Sequence, residues 1–312
     1  MISFIIPFYN EEESLRLLYD KIINVVNKVM ITDEVFSYEF WFVDDGSNDK
    51  STNIIKDIIR MDDNVHLIVF RKNFGKAAAL QAAFKKCNGD IVITMDADLQ
   101  DEPEEIPNFI EKINEGYDLV SGWKFDRHDP IEKRLPSKLF NRVTALLSGV
   151  KLHDFNCGFK AYTRDVVKNI DVYGELHRYI PVIAHRKGFK ITEIKVRHNK
   201  REFGKSKYGF ERYLRGLFDS LTVSFLNKYY DKPMHFFGRF GMAFSLIGLA
   251  IGVYLTVIWF SGQSIGNRPL LTLSVLLIIL GVQFFSIGLI GDMLLDASHR
   301  LRYNDAHIKE II

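Results

Sequence analysis

The stretch IVITMDADLQD, Ile91 to Asp101, decides how the rest of the chain is read. Its first residues, Ile91 to Thr94, form a short apolar run of the kind that makes a buried strand. Asp96, Asp98 and Gln100 then follow at alternate positions, so two carboxylates and an amide oxygen converge just past the strand end. Hard divalent cations such as Mg²⁺ or Mn²⁺ take oxygen ligands, and a cation held by few protein groups keeps positions open for other oxygens. Alone, the triplet reads more simply as a solvated acidic turn. Its neighbours reverse that preference.

Outward from this strand, residues 1 to about 125 alternate short apolar runs with helical periodicity. That is the pattern of an α/β domain with a mostly parallel sheet covered by helices. Strands are predicted at Ser3 to Pro7, Glu39 to Val43, His66 to Phe70, Ile91 to Met95 and Asp118 to Ser121. Leu15, Leu18, Ile22, Val25, Val26 and Val29 recur at helical spacing, as do Ile54, Ile55, Ile58 and Ile59, and Ala77 to Phe84 reads as a third helix after Gly75. Ligands of open α/β sheets collect beyond the carboxyl ends of strands. The first strand delivers Pro7, Tyr9 and Glu11 to that edge, the second Asp44 and Asp45, and the fourth the acidic triplet.

In VDDGSND, Val43 to Asp49, Ser47 and Asp49 are best read as parts of a strand-to-helix turn. Asp44 and Asp45 differ, because paired acids where a strand leaves the core repel each other and are suited to hydrogen bonds from a base or ribose. Neither G-x-G-x-x-G nor G-x-x-x-x-G-K-[ST] occurs in the chain. A nucleotide bound without a phosphate-cradling loop needs a cation for its diphosphate. The D-x-D-x-Q triplet supplies the ligands for one, which outlines a nucleotide-sugar site.

The 312 residues carry a net charge of only +2, which argues against a general nucleic-acid binder. Cys87 and Cys157 are the only cysteines, with no C-x-x-C and no His partner at metal spacing, so neither a disulfide framework nor a zinc site is indicated. Ile2, Phe4, Ile5 and Ile6 lack a basic flank and are stopped by Glu11, Glu12 and Glu13, which favours a first strand over a targeting segment. Phe240 to Asn267 and Pro269 to Gly291 contain no charge. Each run exceeds the about 20 apolar residues that cross a bilayer core.

FIIPFYNEEESL, WFVDDGSNDKS, RKNFGKAAAL, MDADLQDEPEEIP, the segment from SGWKFDR to LLSG, NCGFKAYTRDVV and KREFGKSKYG, followed by two apolar spans, resemble glycosyltransferase family 2 in order and spacing. They look like its polyprenyl-phosphate branch, which includes dolichol-phosphate mannose synthases and bacterial undecaprenyl-phosphate glucosyltransferases. The resemblance covers nearly the whole chain. It implies that Pro7, Tyr9 and Glu11 form a nucleotide-binding strand end, and that Asp44, with Asp45 beside it, meets the base. It implies that Asp96, Asp98 and Gln100 hold the metal, that Arg127 and Arg134 are basic residues beyond the fifth strand, and that Arg201, Ser206 and Lys207 gather phosphate. Lys124 stands where many relatives have Arg, which keeps the charge of a donor contact but not its bidentate fork.

The basic residues also make sense from the sequence itself. Lys124, Arg127, Lys133, Arg134, Lys138 and Arg142 flank an apolar helical stripe, although Lys133 and Lys138 read equally as a solvated face. Around Gly204 and Ser206, backbone amides can approach phosphate while Arg201 and Lys207 neutralise it. His153, His177, His185 and His198 show no metal or nucleophile pattern and are read as surface or satisfied-core residues. Asp154 invites a general-base role. An acceptor phosphate is already largely ionised at neutral pH, so Asp154 is expected instead to position the acceptor or nearby Arg and Lys side chains.

Phe210 to Phe225 carries an apolar helical side with basic flanks, suggesting a helix in the membrane interface or, alternatively, one packed on the sheet domain. Lys228, Lys232 and Arg239 precede the first span, and His299, Arg300, Arg302 and Lys309 follow the second, which places both ends in the cytosol.

The expectation is therefore a GT-A-type catalytic domain over residues 1–208, an amphipathic interfacial region over 209–235, a transmembrane hairpin over 236–298 and a cytosolic tail over 299–312. The expected reaction is metal-dependent, inverting transfer of a hexose from a nucleotide sugar, UDP-glucose or UDP-N-acetylglucosamine, to undecaprenyl phosphate. Its product would serve cell-envelope glycan modification at the inner membrane. Asp96, Asp98, Arg127 and Asp154 are the expected catalytic residues. Family resemblance adds a homo-oligomer, a tetramer. The alternatives are a processive polysaccharide synthase, against which the missing Q-x-x-R-W counts, and an inactive membrane scaffold.

Overall fold

A computed structural model describes residues 1–32, 37–125, 141, 144–145, 148–174, 176–199, 232–266 and 268–302. The chain divides into two compact units, Met1–Ser224 and Phe225–Ile312.

In the first unit, strands β1 (Ile2–Phe8), β2 (Tyr38–Asp44), β3 (Val65–Val69), β4 (Ile91–Thr94), β5 (Leu119–Lys124), β6 (Lys160–Thr163) and β7 (Ile191–Val196) form one sheet in the order β3-β2-β1-β4-β6-β5-β7. Helices α1 (Leu15–Thr32), α2 (Ser51–Ile59), α3 (Lys76–Phe84), α4 (Ile106–Asn114), α5 (Arg164–Asn169) and α6 (Ile180–Arg186) connect them. The five strands and three helices expected from the sequence are present, with ends shifted by a few residues at most. Side chains alternate across a strand. Phe4 and Ile6 of β1 accordingly enter a core with Phe40, Phe42, Leu18, Ile22, Ile58 and Phe109, while Ile5 enters the opposite core with Val43, Leu80, Phe84 and Tyr162.

Two register facts place the site. β1 lies parallel to both β2 and β4, with Phe8 opposite Asp44 and Ile5 opposite Thr94, so their carboxyl ends share one edge. β6 runs antiparallel between β4 and β5, with Lys160 opposite both Thr94 and Ser121. A reversed strand enters the sheet from the edge where its neighbours leave. The residues before Lys160, Asp154 to Phe159, therefore arrive beside the end of β4.

The second unit contains α7 (Pro233–Phe260) and α8 (Pro269–Arg302). The most apolar 18-residue windows of Pro233–Phe260 and Pro269–Leu294 have mean hydropathies of 2.1 and 2.5, and only 11% and 17% of those windows are buried. A core helix of a water-soluble fold would hide that surface. Here Leu246, Leu249, Val253, Val257, Ile290 and Leu294 are exposed, an apolar surface that suggests membrane association. Small residues bring the helices together: a Cβ on Gly248 would lie 2.9 Å from Ser274 O, and Ser274 Oγ donates to Gly248 O at 2.7 Å. The expected interfacial region lies outside the described residues except for its last part, from Lys232 onward.

Candidate active site

The loops after β1 and β2 are stitched together by backbone amides and short polar side chains. The Asn10 N–H donates to Ser47 Oγ at 2.9 Å, the Asn48 N–H to Asn10 Oδ1 at 2.8 Å, and the Glu11 N–H to Ser51 Oγ at 2.9 Å. Asn10 is held at φ 52°, and half-buried Pro7, Tyr9 and Glu11 surround it in sequence. Ser47 and Asp49 serve the turn, Asp49 by accepting the Ser51 N–H at 3.0 Å.

Asp44 and Asp45 are both buried. Asp44 Oδ1 accepts the Ser47 N–H at 2.7 Å and its Oδ2 accepts the Thr52 hydroxyl. Asp45 accepts the Phe74 N–H at 2.7 Å and the Gly75 N–H at 3.0 Å, which fixes the loop leading into α3. Burial pushes the Asp45 carboxyl up, against the opposing pull of those two amides. Gly46 lies between Asp45 and Ser47 at φ 79°, where a Cβ would fall 2.6 Å from the Lys72 carbonyl carbon. Only glycine fits.

Past β4 the chain keeps alternating. Met95, Ala97 and Leu99 are buried, whereas Asp96, Asp98 and Gln100 are half-buried and reach the open edge. Leu99 adopts φ 59°, uncommon for a residue of its bulk. Described residues with positive φ that are not glycine are Asn10 and Leu99, in the loops after β1 and β4. Strained backbone of this kind concentrates where a surrounding structure must hold functional groups in place.

Asp96 pairs with the Lys76 ammonium at the start of α3. Gly158 lies against the same carboxylate, and a Cβ there would meet its three carboxylate atoms at 2.4 to 2.6 Å. The loop delivered by β6 thus forms a cradle around Asp96 that any side chain would fill. Sequence reasoning missed Lys76. Its signal was a lone cation directly after Gly75 and ahead of an alanine-rich helix.

Gln100 Nε2 donates to Asn199 O at 3.2 Å, and the Asn199 N–H donates to Gln100 O at 2.8 Å. Only the amino end of an amide can donate to a carbonyl, so Gln100 Oε1 is the end left for a cation. The next residue, Asp101, forms an isolated antiparallel bridge with His198 and is buried beside Lys124, with Nζ to Oδ1 at 3.0 Å and His198 Nδ1 to Oδ1 at 3.7 Å. The Lys124 contact pairs opposite charges; neither Asp101 oxygen has a hydrogen bond of good geometry among the described residues. Burial pushes the Asp101 carboxyl up, but Lys124 and His198 outweigh it and hold the group well below the usual carboxylate range. Burial likewise opposes the charge on Lys124, and Asp101 more than restores it. Lys124, expected at the donor, has its ammonium engaged by Asp101.

Asp154 is buried, and its Oδ1 accepts the Asn156 N–H at 3.0 Å. Lys160, which sequence reasoning also missed, is buried beneath this loop. It donates to Cys157 O and to Phe155 O, the latter at 3.4 Å. Burial pushes its ammonium below the usual lysine range, and Lys76 adds to that. Arg127, Arg134, Arg201, Ser206 and Lys207 lie outside the described residues.

Among the described residues no group of three or more His, Cys, Asp and Glu side chains is arranged to hold a metal ion. A cation here would rest on two carboxylates and one amide oxygen, a hard donor set that leaves positions for substrate oxygens. The Gly158 cradle and the outward Gln100 Oε1 fit that demand.

Sheet order, the reversed β6 and the acidic edge define a GT-A-type glycosyltransferase domain. More particularly, the chain belongs to glycosyl transferase family 2, whose description matches residues 3–171, and to its polyprenyl-phosphate branch. It is 33% identical over 305 residues to dodecaprenyl-phosphate galacturonate synthase of Rhizobium johnstonii, covering 96% of this chain and 89% of that protein. It is 34% identical over 296 residues to undecaprenyl-phosphate 4-deoxy-4-formamido-L-arabinose transferase of Pseudomonas fluorescens, covering 94% and 84%. The Shewanella sediminis protein of the same name is 35% identical over 294 residues, covering 93% and 86%. Among solved structures, glucosyl-3-phosphoglycerate synthase from Mycobacterium tuberculosis aligns with a TM-score of 0.54 over 73% of this chain and 79% of that one, at 17% identity, which speaks to the fold. One of its complexes contains Mn²⁺ and UDP-glucose.

Proposed function

We propose that this glycosyltransferase moves one sugar from a nucleoside diphosphate sugar, with UDP the expected nucleotide, to undecaprenyl phosphate at a membrane surface. The observation that carries the reading is the meeting at one sheet edge of Asp96, Asp98 and Gln100 with the Pro7 to Glu11 and Asp44 loops, in a chain aligned over nearly its full length with polyprenyl-phosphate sugar transferases. The β1 and β2 loops receive the nucleoside, and the triplet holds Mg²⁺ or Mn²⁺. When bound, that cation supplies Lewis acidity to the departing diphosphate.

The chain's own residues do the rest. Gly158 leaves room for the Asp96 carboxylate to face the donor, and buried Asp154 and Lys160 fix the loop that carries Gly158. Arg127, Arg134, Arg201, Ser206 and Lys207 gather and orient the acceptor phosphate. A phosphate monoester has its second pKa near about 6 and needs no base to become a nucleophile. Its oxygen attacks the anomeric carbon from the face opposite the nucleotide, the carbon to diphosphate-oxygen bond breaks, and the configuration inverts.

The sequence reading favours glucose or N-acetylglucosamine as the sugar. Relatives named for galacturonate and for 4-deoxy-4-formamido-L-arabinose widen the candidates. Incubation with undecaprenyl phosphate and a panel of nucleotide sugars covering all four, followed by mass spectrometry of the lipid fraction, tests the proposal. One sugar-phosphate lipid is expected. Absence of a lipid product with every donor would reject it.

A further inference from the structure

Asp101, next in the chain after the triplet, is a buried charge with 1% of its side chain accessible, and the proposed transfer gives it no task. Its neighbours Lys124 and His198 come from different parts of the fold. Lys124 is the last residue of β5, and His198 lies two residues past the end of β7. Around this ion pair the metal loop and the β7 extension are zipped together. His198 bridges Asp101, the Asn199 N–H donates to Gln100 O at 2.8 Å, Asn199 Nδ2 donates to Glu102, and Gln100 Nε2 donates to Asn199 O at 3.2 Å. The last of these turns the Gln100 amide so that Oε1 faces away from the β7 extension.

A buried carboxylate paired with an ammonium costs desolvation, and replacing such a pair with apolar side chains is often neutral or stabilising. Stability alone is a weak reason for it. Geometry gives a better one, because partners that orient a metal ligand commonly matter as much as the ligand.

We propose that Asp101 is a positioning residue for the transfer reaction: with Lys124 and His198 it pins residues 198–199 onto the metal loop and thereby fixes the Gln100 amide with its oxygen toward the cation. The inference rests on the assignment of Asp96, Asp98 and Gln100 to a divalent cation. It also links that cation to the acceptor side, since Asn199 is followed directly by the basic run from Lys200 to Lys207.

The test is the gain in UDP affinity that Mn²⁺ confers, measured by calorimetry on the full chain in detergent. Asp101→Asn alone would strand the Lys124 ammonium, so the informative variant is Asp101→Asn with Lys124→Met, which removes both charges. If Lys124 also touches the donor, its loss lowers UDP affinity with and without Mn²⁺ alike; loss of Gln100 orientation lowers only the gain. The gain is expected to fall about 10- to 100-fold while the melting temperature stays near that of the parent. His198→Leu, which keeps the Asp101 and Lys124 pair, is expected to lose the gain in the same direction and serves if the double variant does not fold. A full gain in either folded variant overturns the positioning role. If the parent protein shows no gain, the cation assignment itself fails and this inference falls with it.

Discussion

At Gly158 a single methyl group would collide with all three carboxylate atoms of Asp96. Gly158→Ala should therefore leave the fold melting normally while turnover falls roughly 10²-fold, the scale on which an ångström of misplacement acts. Parent-like turnover would show that Asp96 does not need that position. Asp98→Asn should weaken Mn²⁺ binding and turnover together without unfolding the domain, and excess chelator should abolish transfer by the parent protein. Full activity in chelator would remove the cation from the account. The placement of Asp96, Asp98 and Gln100 past the end of β4 was legible because an apolar strand and period-two spacing record it. Lys76 and Lys160 were not, because a lone lysine acquires meaning only when the chain brings a carboxylate or a carbonyl to it. Asp101 was quoted within a motif, and its pairing with Lys124 and His198 depends on strand order that no local pattern records.

Among the elements, β6 shows the same limit. Lys-Ala-Tyr-Thr is too short and too mixed to read as a strand, yet its reversed direction is what carries Asp154 and Gly158 to the end of β4. The parallel strands before it were legible because they are apolar on both faces and separated by clear helical stripes. The two apolar spans were legible from length alone, whereas their contact was not, since it depends on which glycines face the partner helix. A Cβ at Gly248 would meet Ile278 Cγ1 at 2.8 Å and Ser274 O at 2.9 Å. Gly248→Leu should accordingly destabilise the hairpin by about 1–3 kcal/mol, the usual cost of overpacking, and leave UDP binding unchanged. A hairpin melting as before would place that glycine outside a tight contact.

For the whole molecule, the charges flanking the two apolar runs predict an orientation. By the positive-inside rule, Lys228, Lys232 and Arg239 ahead of the first run and Arg300, Arg302 and Lys309 after the second should keep both ends in the cytosol, with Ser261 to Pro269 on the far side. Ser264→Cys should react with an impermeant thiol reagent in intact cells and Asn304→Cys should not; the reverse pattern would invert the topology. A chain lacking the hairpin should still bind UDP but use long-chain lipid poorly, because the membrane supplies local concentration of acceptor. Donor-side chemistry and lipid-side anchoring then combine into one claim, that a single sugar is placed on a lipid phosphate through a cation-dependent site. The most direct measurement follows radiolabel from the matched nucleotide sugar into undecaprenyl phosphate in vesicles, with and without chelator. The account predicts label in a lipid bearing one sugar and its loss when the cation is removed; label in a growing polymer, or undiminished transfer in chelator, would contradict it.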